Sequence, residues 1–148
     1  MNGEKLKDKE REIIGLINSL NMVDGKIKEY PKEMAGFDAY NKKCIVEIKD
    51  RERYYNEPVI EFGKYCFNTQ FAKLKSLNSF YVCRMEGYLY RWDLLYLKSI
   101  NYNFKWHWRW MPQTTEFGKT EKVEKYVGYV NVRDGDSFEA KLPTLSNL

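Results

Sequence analysis

The chain has 148 residues, of which 43% are hydrophobic, 31% charged and 16% aromatic, and its formal charge is +4. That length fits one domain with a core of its own, and division into two would leave each half marginal. Three widely spaced cysteines in apolar surroundings, Cys44, Cys66 and Cys83, suggest neither a disulfide framework nor a zinc site, and no stretch approaches the ~20 apolar residues of a membrane span.

From Met1 to Glu12 the chain is densely charged where a leader needs an apolar run, so the expectation is a soluble, cytoplasmic protein with reduced thiols. Ile13, Ile14, Ile17 and Leu20 fall on one face of an amphipathic helix over Glu4 to Leu20. Asn21 to Gly25 ends it, and Lys26 to Tyr30 suits a short strand. From Phe37 the period becomes two. Phe37, Ala39, Cys44, Val46 and Ile48 alternate with Asp38, Tyr40, Ile45, Glu47 and Lys49. Two strands joined by a tight turn at Lys42-Lys43 follow, a register that sets Asp38 opposite Glu47.

Asn56-Glu57-Pro58 reads as a helix start, with the helix running to about Ser76 and a stripe of Ile60, Phe67, Phe71 and Leu74 into which Lys64 falls. Ser79 to Met85 and Tyr88 to Trp92 predict a hairpin over Glu86-Gly87. Phe104 to Trp110 predicts a strand with Trp106, Trp108 and Trp110 on one face and Lys105, His107 and Arg109 on the other; a further strand is expected at about Tyr126 to Val132. From Asp134 the chain turns polar, which predicts one domain over 1–133 and a flexible tail over 134–148. The order of elements gives an α/β (α+β) class, a central mixed sheet flanked by helices.

Opposed side chains on a strand pair lie about 5 Å apart, so Asp38 and Glu47 would confront two carboxylates on one face. A hard cation such as Mg²⁺, which takes one or two carboxylates and keeps positions for water and phosphate, relieves that repulsion. Lys49, two residues beyond Glu47, joins the same face, and carboxylates, a metal and a lysine suit phosphoryl transfer. The plain alternative is a solvated hairpin face on which Glu47 and Lys49 screen each other.

Glu10-Arg11-Glu12, Asp38, Glu47-Ile48-Lys49 and the Lys64 helix, in that order, resemble the PD-(D/E)xK nuclease superfamily, in particular archaeal Holliday-junction resolvases and small phage nucleases, over about Glu10 to Trp92. Phe37 stands where the family has a proline. The resemblance implies a restriction-endonuclease-like core and an endodeoxyribonuclease using Mg²⁺ or Mn²⁺, with Asp38, Glu47 and the main-chain carbonyl of Ile48 on the metal and Lys49 positioning or activating water. Glu10, one turn before Ile13 on the buried side of its helix, would complete the catalytic set, with Glu12 as the alternative. Lys42, Lys43, Arg51 and Lys64 are the candidate contacts to nucleic acid. DNA is the expected partner, and junction cutting would need a homodimer. DNA against RNA, and branched against linear substrate, stay open, as do a non-cutting nucleic-acid-binding module and a structural or regulatory phage protein. The sole histidine, His107, reads as structural, and the tryptophan face as packing or base stacking.

Overall fold

The computed structural model describes residues 2–31, 36–112 and 121–140, with side chains from residue 7 onward. Helix α1 (Asn2–Ser19) ends where Asn21 takes a left-handed conformation. A short meander follows, β1 (Lys28–Glu29), β2 (Ala39–Tyr40) and β3 (Cys44–Arg51). Strand β4 (Val59–Glu61) runs straight into α2 (Phe62–Lys75), and β5 (Asn78–Met85) turns through Glu86-Gly87, both at positive φ, into β6 (Tyr88–Asp93). Then come α3 (Leu94–Ser99), β7 (His107–Pro112), β8 (Lys122–Tyr129) and β9 (Asp136–Glu139).

Six strands make a mixed sheet in the order β1-β2-β3-β5-β6-β9, in which only β3 and β5 run parallel. Parallel neighbours need a long crossover, and the β4–α2 segment supplies it. The α1 face buries Ile13, Ile14 and Ile17 against Val46, Ile48, Val82 and Leu89. The opposite face, under α2 and α3, buries Ile45 with Ala72, and Tyr81 and Trp92 with Leu94 and Leu97. A smaller sheet, β4-β8-β7, leans on this second face through Ile60 and through Phe104 and Trp106, which lead into β7. The fold is therefore mixed α/β around a mixed sheet, as expected.

Several boundaries differ from the sequence reading, and the strand expected over Phe104 to Trp110 begins only at His107 and runs to Pro112. Pro58 precedes a strand, because Val59, Ile60 and Glu61 pair with Tyr129, Gly128 and Val127. The helix after it buries Tyr65, Asn68, Thr69 and Ala72, while Phe67 and Leu74 stand 45% and 84% exposed. Apolar spacing misplaced this face because two of its residues are polar: Asn68 donates to the Gly36 carbonyl, and Thr69 Oγ1 to that of Tyr65. The strand expected near Tyr126 to Val132 runs over Lys122–Tyr129 instead. Finally, Asp136–Glu139, expected in a tail, pairs with Arg91–Tyr88 as the edge of the large sheet, seating Phe138 and Ala140 on the α1 core; residues 141–148 lie outside the described residues.

Candidate active site

The register of β2 on β3 pairs Ala39 with Val46 and Tyr40 with Ile45, so Asp38 stands opposite Glu47. The two carboxylates do not simply face each other. Asp38 Oδ2 accepts the Ile48 N–H at 2.7 Å, taking the place of a strand partner where β2 begins. N–H and C=O of one strand residue point the same way, so the Ile48 carbonyl is directed toward the same gap in the sheet. Burial lifts the Asp38 carboxyl above its ordinary value, against the Ile48 hydrogen bond and the charges of Lys49 and Lys64.

Glu47 points to the α2 face and is only 2% exposed. Among the described residues its Oε1 has no hydrogen-bond partner, and its Oε2 lies 4.0 Å from Lys64 Nζ. Burial pushes its pKa up to about 7; Lys49 and Lys64 act against this, while Asp38 and Glu61 add to it. A fully buried carboxylate without a hydrogen bond is costly, and such groups in folded proteins call for a counter-ion or an unseen ligand. Lys49, expected beside Glu47, lies 3.9 Å from Glu61 Oε2, and burial lowers its pKa.

Glu61, at the β4–α2 junction, is a site residue that the sequence reading missed. Lys49, Lys64 and Lys125 lie 3.9, 3.5 and 3.3 Å from its oxygens. Burial alone would raise its pKa, but Lys64, Lys49 and Lys125 outweigh burial and hold it below the usual value. The Glu61–Lys64 spacing of one helical turn was a usable signal; nothing along the chain points from Glu61 to Lys125.

Of the two candidate acids on α1, Glu12 binds Arg84 at 2.8 Å, whereas Glu10 is lifted to about 7 by burial and by the charges of Asp38 and Glu29. Glu10 therefore belongs to the same electrostatic cluster as Asp38, and it lines, with Ile48, Lys49 and Arg51, a cleft of about 220 Å³ at the end of β3. Lys42 and Lys43 sit at the opposite end of β3, where Lys43 pairs with Asp24 at 2.7 Å, so the structure does not bring them to this cluster. His107 stacks on Tyr129 and takes no part. Burial pushes the thiols of Cys44 and Cys83 up to about 11 and 12, which leaves them protonated and unreactive at neutral pH.

Among the described residues no set of three or more His, Cys, Asp or Glu side chains is grouped as a metal cage. Mg²⁺ asks for less, one or two carboxylates plus water and substrate oxygens. The unpartnered Glu47 Oε1, Asp38 across the strand and the Ile48 carbonyl aimed at the same gap are a donor set of that kind. Compared with known protein families and with characterised proteins, the chain matches none.

Proposed function

We propose that this chain is a metal-dependent endonuclease with the restriction-endonuclease-like PD-(D/E)xK core, hydrolysing DNA phosphodiesters with Mg²⁺ or Mn²⁺. The observation that carries this reading is the buried carboxylate of Glu47, its Oε1 without a partner, beside Asp38 and flanked by Lys49 and Lys64. Asp38, Glu47 and the Ile48 carbonyl would hold the cation. When bound, it supplies a water of lowered pKa and a Lewis acid for the phosphate.

The remaining work falls to the chain's own groups. Lys49, made less basic by burial, orients the attacking water and meets the charge that develops on the phosphate. Lys64, held cationic by Glu47 and Glu61, neutralises the carboxylates so that a phosphate can approach. Glu61 gathers the lysines, and Glu10, with its pKa near 7, can accept a proton.

The test is incubation of labelled four-way junction, linear duplex and single strand with Mg²⁺, Mn²⁺ or chelator. Metal-dependent cutting of at least one is expected, and none at all would end the proposal. Junction cutting also requires a two-fold dimer, which sedimentation measures. A second reading, a nucleic-acid-binding or structural protein that does not cut, draws on the Lys64–Glu47 and Lys64–Glu61 contacts as a purely structural network. It expects DNA to survive every metal.

A further inference from the structure

Arg51 follows Lys49 on the same face of β3, about 7 Å further along the strand, and borders two clefts. One is the Glu10–Lys49 cleft. The other, about 270 Å³, lies between the β3–β4 connection, with Tyr55, and the small sheet, with Val59, Arg109, Met111 and Tyr129. Lys125 is the cross-strand partner of Arg109 and reaches Glu61 at 3.3 Å, so one cationic face joins this groove to the candidate site.

The groups lining the groove are largely uncommitted. Among the described residues the Arg51 side chain makes no hydrogen bond or ion pair, and the Arg109 guanidinium meets only the Tyr129 hydroxyl at 3.2 Å. Tyr55 is 48% exposed, and its ring packs on no other ring among the described residues. Among the described residues the one acid in the lining, Glu57, is engaged by Lys105 at 3.2 Å. Arginines for phosphates and a free aromatic face for a base are what single-strand grooves combine. The volume lies just below the roughly 300 Å³ at which pockets for small organic ligands begin, room for a nucleotide at a time and not for a duplex.

We propose that this groove carries an unpaired nucleic-acid strand out of the candidate site, which makes the substrate class a branched or flapped nucleic acid with a single-stranded arm. The proposal rests on the nuclease reading for the site it adjoins. Its test does not, because binding is measured in chelator.

Anisotropy titrations with a short labelled single strand and with a hairpin duplex give the answer. The single strand should bind at least about tenfold more tightly than the duplex, and Arg109→Ala or Tyr55→Ala should each weaken it about tenfold while changing duplex binding less than about twofold. The slope of log affinity against log salt should shrink by about 0.7 in Arg109→Ala and stay unchanged in Tyr55→Ala, since only the first loses a phosphate contact. Tyr55→Phe should restore binding. Equal weakening of both ligands, or single-strand binding as in the wild type, overturns the proposal. The two readings fail separately: single-strand binding that depends on Arg109 and Tyr55 without cutting in any metal removes the nuclease and keeps the groove, and cutting with unaltered Arg109→Ala binding does the reverse.

Discussion

Glu47 couples the candidate site to pH. Burial raises its carboxyl from 4.5 to about 7, so between those values the folded protein holds a proton that the unfolded chain has released. Stability of the metal-free protein should therefore fall as pH rises from about 4.5 to about 7 and level off above. The penalty above pH 7 is on the order of 3 kcal/mol for a shift of this size. Glu47→Gln removes it. In chelator this variant should melt higher than wild type at about pH 8, with the gap closing toward pH 5, and thermal melts at both values decide the matter. A lower melting point at the higher pH would mean that the Lys64 contact outweighs desolvation. Metal affinity should rise with pH through about 7 for the same reason, because a bound cation displaces the proton.

Asp38→Ala and Glu47→Ala should abolish cleavage and leave the fold intact, with circular dichroism as the control; full activity in either would remove the ligand assignment. Lys49→Ala should lose two to three orders of magnitude in rate, the usual size for one preorganised electrostatic group, while Mn²⁺ affinity measured by calorimetry holds or rises. Strand alternation made Asp38, Glu47 and Lys49 legible at this scale, since period two fixes which side chains share a face. It did not reveal that Asp38 would bond the Ile48 amide, or that Lys49 would turn to Glu61, because both depend on where β2 stops and where β4 arrives.

At the scale of elements, α1, the β2–β3 turn and the β5–β6 hairpin were legible because each repeats its own period and ends at a recognisable turn. Strand β4 was not. Three residues are too few to show a period, and Pro58 in front of them imitates a helix start. Strand β9 was hidden for a different reason: as an edge strand it needs few large apolar residues, and only Phe138 is seated inward. Truncation after Asp134 should therefore lower the melting temperature by several degrees relative to truncation after Ala140, since it uncovers Leu89 and the edge of β6. Equal melting points would return this stretch to the status of a tail.

Gly36 offers a second test of how α2 holds the site. A Cβ there would come within 2.6 Å of Asn68 Oδ1 and 3.0 Å of Phe67. Gly36→Ala should cost about 1–3 kcal/mol by overpacking. Asp38 lies two residues on, so metal affinity should fall with it, and calorimetry beside a denaturant melt reads both.

For the molecule as a whole, the site draws on α1, the segment before β2, β3, the β4–α2 junction and β8. The class of fold followed from the order of helices and strands, whereas the small sheet did not, because β4 and β8 lie far apart in the chain. Lys125 enters the site only through that sheet, which is why nothing in the sequence pointed to it. If phosphate contacts dominate affinity, Glu47→Ala should still bind DNA, with affinity falling steeply as salt rises; a flat salt response would speak for a structural role.

The separation into two sheets also divides the tryptophans. Trp92 is fully buried in the large sheet, its indole N–H given to the Asn131 carbonyl at 2.8 Å, while Trp108 and Trp110 stand 65% and 63% exposed on the small one. Emission should accordingly resolve into a blue component that acrylamide barely quenches and a red component that it quenches readily. During denaturation the blue component reports the core that Trp92 shares with Ile60, Phe104 and Val130, where the two sheets meet. Parting of the two sheets should therefore appear, without any label, as a red shift of the Trp92 component.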